Sequence, residues 1–279
     1  MEFVDFPSLR KSPSIDLLFP KWQEGETVAF LSPHDDDVLL GAGYLLKATV
    51  ENNGIPLLLV FCSGDAGYSN PEEKDTITQR RKQEAIQAYG ALGVKEENIH
   101  SFDIPDFSLM PSVNRNLFEK KGLFEEQVRL FREERVSRVV FSSGYFEHWD
   151  HTAVFSMGIY TSPQAGDPVL ADIGEPFAAK SHYVYSVWGD FEPSETEPGQ
   201  IRADKGIVIK EEIEEEIRRS IQQFSSQRKI FKKIVEYREK RKSSSGYLEL
   251  YKSVDIRPQT DFNPYFKLLP KCQATEQEE

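Results

Sequence analysis

The sequence predicts an α/β protein: a Rossmann-like, doubly wound, mostly parallel sheet with helices on both faces. Three observations predict it. Residues 28–32 and 57–62 are short, continuous apolar runs, as expected of strands buried on both faces. Segments of helical periodicity separate such runs, so strand and helix alternate along the chain. Two polar clusters, Pro33-His34-Asp35-Asp36-Asp37 and His148-Trp149-Asp150-His151, each follow a predicted strand. Ligands in such sheets lie beyond the carboxyl ends of the strands, where the strand order switches.

The elements follow in order. Residues 1–26 mix prolines and polar residues around Phe3, Phe6, Leu17, Leu18 and Trp22, and read as an irregular N-terminal arm. After the first strand, residues 38–50 read as a helix with Leu39, Leu46 and Val50 inward, closed by Asn53-Gly54. The second strand, 57–62, runs into the loop Ser63-Gly64-Asp65-Ala66-Gly67. Residues 76–92 space Ile77, Ala85, Ala88 and Leu92 on one helical face, and Gly93 stops them. Residues 98–102 read as a third strand. Residues 117–134 read as a helix with Leu117, Phe124, Val128 and Phe131 inward, and 138–141 as a fourth strand.

Beyond His151 the pattern weakens. Residues 152–160 read as a helix, 163–176 as loop, 181–188 as a strand, 190–200 as an acidic surface loop and 206–209 as a short strand. Residues 211–242 read as one long helix, acidic at its start and basic at its end as the helix dipole prefers, with Ile213, Ile217, Ile221, Phe224, Ile230, Ile234 and Tyr237 inward. The expected organisation is the arm at 1–26, a single domain over 27–242, and a C-terminal extension over 243–279 that is partly extended and frays at its acidic end.

Charge restricts the partners. The chain has 34 basic and 46 acidic residues, a net charge of −12, which repels nucleic acid and anionic lipid. A small-molecule substrate is the expected partner, and homo-oligomerisation stays open. Cys62 and Cys272 form no disulfide framework and no Cys-x-x-Cys zinc site, and Cys62 reads as a small buried residue. The first residues lack the pattern of a secretion signal and no apolar run has membrane length, so a cytoplasmic, reducing setting is the expectation.

The clusters carry the chemistry. Together they hold three of the five histidines and four carboxylates. Three consecutive aspartates directly after a buried strand need a partner, and a divalent metal is the simplest. Imidazole and carboxylate are zinc ligands, and three protein ligands with one open position make a catalytic site. His34 and Asp37 lie three apart, able to face one ion at the entry to a helix. Asp36 between them is then a carboxylate beside a metal-bound water, the position of a general base. The second cluster offers His148 and His151, of which one is needed as ligand. The other can protonate a leaving group or stabilise an oxyanion, with Asp150 holding its ring. The bland alternative is that the aspartates cap a helix and His-x-x-His is chance.

The stretch His34-Asp35-Asp36-Asp37-Val38-Leu39-Leu40-Gly41-Ala42-Gly43 resembles the His-Pro-Asp-Asp-Glu-x-Leu-Gly-x-Gly segment of the LmbE/PIG-L family, zinc-dependent deacetylases of N-acetylglucosamine derivatives. His148-Trp149-Asp150-His151 resembles its His-Pro-Asp-His segment. Arg81-Lys82-Gln83-Glu84, Pro105-Asp106 and Ser226-Gln227 resemble its weaker motifs, in the same order over roughly residues 27–230. The resemblance implies one Zn²⁺ per chain held by His34, Asp37 and His151, with Fe²⁺ as the other candidate ion. It implies Asp36 as base, His148 as oxyanion stabiliser or acid tuned by Asp150, and Arg81 and Asp106 as substrate contacts. The expected activity is removal of an N-acetyl group from an amino sugar or sugar conjugate. The chain departs from the pattern at Asp35 and Trp149, where the family has Pro, at Val38, where it has Glu, and at Phe224, where a His or Tyr is common. Two other readings compete: a non-haem iron oxygenase using His34-x-Asp36 and a distant His, and a non-catalytic carbohydrate-binding module on the same fold.

Overall fold

A computed structural model describes residues 1–117, 120–144, 147–188, 191 and 202–257. Its strands are β1 (Glu2–Asp5), β2 (Arg10–Ser12), β3 (Thr27–Ser32), β4 (Ile55–Cys62), β5 (Ile99–Ile104), β6 (Asn116–Leu117), β7 (Lys120–Lys121), β8 (Val136–Ser142), β9 (Ser181–Tyr185), β10 (Lys205–Ile209), β11 (Lys242–Ser243) and β12 (Gly246–Ser253). Its α-helices are α1 (Asp37–Gly41), α2 (Gly43–Glu51), α3 (Ile77–Gly90), α4 (Leu109–Ser112), α5 (Leu123–Glu133), α6 (Trp149–Ser156), α7 (Glu211–Ile221) and α8 (Lys232–Arg238).

Every residue of β3 is buried. Val28 and Phe30 face one core and Ala29 and Leu31 the other, the alternation a strand imposes. Helices α2, α3 and α7 pack on the first face; α4, α5 and α6 pack on the second. The principal sheet runs β2-β1-β10-β12-β9-β8-β3-β4-β5. From β5 to β9 the neighbours are parallel, and from β9 onward they are antiparallel. The chain moves from β3 through β4 to β5, then returns to β8 on the other side of β3. The order therefore reverses between β3 and β8, and the two polar clusters leave the carboxyl ends of these two strands. At the opposite end Glu26 closes the sheet, its carboxylate 2.7 Å from Arg138 Nε and 2.6 Å from Lys180 Nζ.

The α/β reading and the rim placement hold, and several local expectations change. The segment 1–26 contributes β1 and β2 to the sheet. The segment 243–279 contributes β12, which lies between β10 and β9. There Glu249 accepts the Tyr44 amide of α2 at 2.8 Å, so this late strand anchors an early helix. The helix expected over 117–134 begins only at Leu123, because Asn116–Leu117 pairs with Lys120–Lys121 as a hairpin. The long helix expected over 211–242 is two, α7 and α8. Between them Glu84 takes the Ser226 amide at 3.0 Å, and Phe224 leaves helical geometry at φ −72, ψ 65. The periodicity thus breaks, and Ile230 and Tyr237, expected inward, are 46% and 55% exposed. Apart from the buried Phe191, the expected loop over 190–200 lies outside the described residues, as do the end of the chain beyond residue 257 and Cys272. Among the described residues no helix is long and apolar enough to cross a membrane.

The helix expected over 38–50 is also divided, at Ala42. Gly41 explains the close approach there: a Cβ on it would lie 2.5 Å from Ser186 O and 2.6 Å from Tyr185 Cδ2. α1 thereby sits directly against the end of β9. Gly41→Ala should cost about 1–3 kcal/mol, the usual penalty of overpacking a tight contact. Equilibrium denaturation measures it, and an unchanged midpoint would contradict this packing.

Candidate metal centre

The tight loop after β3 turns His34 back onto Asp37. The His34 amide donates to Asp37 Oδ2 at 2.7 Å, and its ring Nδ1 lies 3.1 Å from the same oxygen. On the β8 side α6 begins at Trp149 with His148 as its cap, and brings His151 Nε2 to 3.3 Å from Asp37 Oδ2. One carboxylate oxygen therefore sits between two imidazoles. The ligand atoms of His34, Asp37 and His151 all lie within 4.8 Å of one another.

The far nitrogen of each ring also faces a carboxylate. His151 Nδ1 is 2.6 Å from Glu147 Oε2, and Glu147 is itself fixed by Ser186 Oγ at 2.6 Å and the Val187 amide at 2.8 Å. His34 Nε2 is 3.5 Å from Asp150 Oδ2. This is the arrangement of metal-binding imidazoles, with the outer nitrogen held and the inner one turned to a common point. Two nitrogens and one oxygen suit a catalytic divalent ion. Two other groupings come close, His34–His148–Asp150 and His34–Cys62–Asp106. They suit an ion less well. Asp150 already accepts the amides of Phe107 at 2.8 Å and Leu109 at 3.3 Å. Burial, reinforced by Asp150 and Asp106, pushes the Cys62 thiol up and away from the thiolate a metal needs.

Charge follows the same geometry. Burial opposes ionisation of Asp37, but the positive charge of His151 and hydrogen bonds from both imidazoles hold its carboxyl well below the usual range. Burial also opposes protonation of the two rings. Asp150 and Asp37 nonetheless raise His34 well above its ordinary value, and Asp37 and Glu147 raise His151 to about 9. A divalent ion entering this cluster replaces imidazole protons.

Asp36 occupies the cap position of α1, yet its side chain makes no capping hydrogen bond. The bland reading of the aspartates as a helix cap does not describe this carboxylate. Burial, together with Asp35 and Asp37 and against the pull of Arg81, raises its pKa to about 7. A buried carboxyl titrating near neutrality beside a ligand set is suited to moving protons.

Arg81 is buried against the acidic loop. It is 3% exposed, with Nε 3.0 Å from each Asp35 oxygen, Nη2 3.4 Å from Asp36 and Nη1 3.3 Å from Gln227 Oε1. Its guanidinium holds the acidic loop, and the side chain also lines the cavity over the cluster. Gly64 and Gly67 make room for it, since a Cβ at either would strike the Arg81 side chain at 2.7 and 2.2 Å. Its helical neighbour Glu84 accepts Ser226 Oγ at 2.6 Å, so Arg81 and Glu84 together clamp Ser226-Gln227. Asp106 keeps its place in the cavity wall while accepting the amides of Gly64 at 2.8 Å and Ala66 at 3.0 Å.

Asp150 lies close to both His34 and His148. His148 Nδ1 accepts the Asp150 amide at 3.2 Å, which assigns the ring proton to Nε2. Although Asp150 Oδ2 is only 3.4 Å from that Nδ1, it has no proton there to accept. The partner of the carboxylate is His34, and this bond with the amides of Phe107 and Leu109 outweighs burial and keeps Asp150 below its ordinary value. Burial first, then the charge of His34, lowers His148 and leaves it neutral at pH 7. The sequence reading missed Glu147, although its i, i+4 spacing to His151 was available, and missed Asp35 as the partner of Arg81.

The fold and site define an α/β protein with a two-histidine, one-carboxylate centre at the switch point of its sheet. Residues 29–161, which carry both clusters, match the family described as PIG-L: GlcNAc-PI de-N-acetylase. No curated protein matches the chain. Among solved structures, an N,N'-diacetylchitobiose deacetylase from Pyrococcus horikoshii is similar, with a TM-score of 0.69 at 19% identity over 88% of this chain and 94% of the other. GalB, a 4-carboxy-2-hydroxymuconate hydratase from Pseudomonas putida, has a TM-score of 0.64 at 18% identity over 85% and 99%. A deacetylase of teicoplanin biosynthesis has a TM-score of 0.56 at 18% identity over 84% and 100%. At these identities the likeness concerns the fold, which carries a hydratase as well as deacetylases.

Glu147→Gln should weaken divalent-ion affinity about 10–100-fold, the usual effect of losing the carboxylate behind a ligating imidazole. Calorimetric titration of zinc into metal-free protein measures it, and unchanged affinity would reject Glu147 as the support of His151.

Proposed function

We propose that the protein is a metal-dependent hydrolase, with zinc as the ion, that removes an N-acetyl group from an N-acetylglucosamine-type sugar or conjugate. The observation that carries the reading is Asp36, a buried carboxyl free of any capping bond, directly beside the His34–Asp37–His151 set. The family match over residues 29–161 supports the choice of reaction. A divalent ion held there supplies polarisation of the amide carbonyl and a more acidic water.

The chain's own groups do the rest. Asp36 takes the proton of the attacking water and can later return one to the departing amine. His148, neutral with its proton on Nε2, donates a hydrogen bond to the developing oxyanion. Asp106 faces the cavity as a polar contact for the substrate. The spacing behind the oxygenase reading is not made, because the carboxylate between the imidazoles is Asp37 while Asp36 faces Arg81. A binding module is disfavoured by the retention of both base and ligand set. Fe²⁺ suits the same donors.

Asp36→Asn should lower kcat about 10²–10⁴-fold on an accepted N-acetyl sugar. The sign of the pH dependence follows from its raised pKa: the base is ionised above about 7 and is lost by protonation as pH falls. A bound cation moves that midpoint lower by attraction. kcat/KM should therefore fall on an acid limb at or below about pH 7 that Asp36→Asn abolishes. An unchanged acid limb in the variant would assign the base elsewhere.

His148→Ala should lower kcat about 10²–10³-fold and change KM little, because its bond to the oxyanion forms only as charge develops. Steady-state kinetics separate the two parameters. An effect confined to KM would make His148 a ground-state contact.

A further inference from the structure

Where the helix over 38–50 breaks at Ala42, charged side chains take both halves of the missing hydrogen bond. In a continuous α-helix the Tyr44 amide would donate to Leu40 O. Instead Arg238 Nη1 donates to Leu40 O at 3.1 Å, with Arg241 Nη2 at 3.4 Å, and Glu249 Oε1 accepts the Tyr44 amide at 2.8 Å. The next amide, that of Leu45, donates to the Tyr251 hydroxyl oxygen at 3.1 Å, and this hydroxyl is itself bonded to Glu249. Cations thus meet the carboxyl end of α1 and a carboxylate meets the amino end of α2, the signs that helix ends favour.

The groups that hold the break open are fixed in turn. Arg238, Glu214 and Glu249 are each buried to 1% exposure. Arg238 Nε and Nη2 lie 2.9 and 2.8 Å from the two Glu214 oxygens, the Tyr44 hydroxyl donates to Glu214 at 2.6 Å, and Arg241 Nη1 lies 3.1 Å from Glu249. Buried ion pairs of this kind add little stability over well-packed apolar residues. Their directed bonds fix a geometry, and the geometry fixed here is that of α1. A helix of five residues is too short to hold itself in place. Yet Asp37 is its first residue, Asp36 its cap, and Leu40 lines the cavity over the cluster. Ile234 of α8 and Phe231 at its start line the same cavity, so the helix that carries Arg238 also walls the site.

We propose that Arg238 is a positioning residue for the metal centre. Its guanidinium is bonded to Glu214 and Leu40 O and acts through α1. By holding Leu40 O it sets the tilt of α1 against β9, and so the point at which Asp37 meets His34 and His151. Glu249 and Tyr251 do the same from the α2 side of the break. The proposal rests on His34, Asp37 and His151 as the ligand set, and on no particular reaction.

The test compares full-length wild type with Arg238→Lys and, as a control, Arg138→Lys. Arg138 is an equally buried arginine paired with Glu26 at the opposite end of the sheet. Lysine can keep an ion pair in either place, but it lacks the planar fork that spans Glu214 and Leu40 O together. Three quantities are read: zinc affinity by calorimetric titration of the metal-free protein, the visible spectrum of the cobalt(II)-loaded protein, which reports coordination geometry, and the denaturation midpoint without metal. Arg238→Lys should weaken zinc binding about 10-fold, the low end of what support around a ligand is worth, and alter the cobalt bands. Arg138→Lys should lose stability while keeping wild-type zinc affinity and spectrum. If Arg238→Lys does not fold, Tyr251→Phe takes its place, since it removes only one hydroxyl, and should shift both metal readouts in the same direction by less. Wild-type affinity and spectrum in the variant read would make the network a brace of the fold and overturn the proposal. An equal loss of zinc affinity in Arg138→Lys would also overturn it, because the effect would then follow stability alone. A wild type that binds no divalent ion would reject the ligand set itself, and the proposal with it.

Discussion

Three consecutive carboxylates must be buried at the end of a fully buried strand. Asp35, Asp36 and Asp37 are 7%, 8% and 4% exposed. An unpaired buried charge costs several kcal/mol, so each needs its own solution. Asp35 is paired with the Arg81 guanidinium. Asp37 lies between two imidazoles, at a point a divalent ion can occupy. Asp36 has only the edge of Arg81, and its pKa rises to about 7. The carboxylate left least satisfied is the one best suited to exchange protons, so the chemistry arises from how the burial problem is divided.

The rest of the site follows from that division. Arg81 must pass through the wall to reach Asp35, which requires the small residues Gly64 and Gly67 along its path. Its outer nitrogen meets Gln227, and Glu84, one turn further along α3, fixes Ser226, so the break between α7 and α8 is also part of the acidic loop's support. Glu147 holds His151 on one side and the strand end at Ser186 and Val187 on the other, joining the metal cluster to β9. The contacts that position the chemistry therefore come from segments spread over most of the described chain.

The sequence made the parallel half of the fold legible because buried strands such as β3 and β4 are continuous apolar runs. It also made the two clusters legible, since strand-end loops rich in His and Asp have few structural uses. The antiparallel half was not legible. β1 (Glu2–Asp5) and β12 (Gly246–Ser253) show neither a continuous apolar run nor a polar–apolar alternation, and gain their identity only by pairing with β10, a relation invisible locally. The α7–α8 break was hidden for the same reason, because a carboxylate 142 positions away causes it. At the site, resemblance suggested the ligand set but not the pairing of the carboxylates. The family pattern has Pro where Asp35 stands and Glu where Val38 stands, and only the structure shows that Asp35 is the carboxylate Arg81 uses.

The central claim is that adjacent aspartates have separate partners, with Asp37 reserved for the ion and Asp36 for the proton. Divalent-ion content of wild type, Asp36→Asn and Asp37→Asn, purified identically and checked for intact folding, tests it most directly. The account predicts about one ion per chain in wild type and in Asp36→Asn, and loss of most of it in Asp37→Asn. Loss in Asp36→Asn with retention in Asp37→Asn would contradict it.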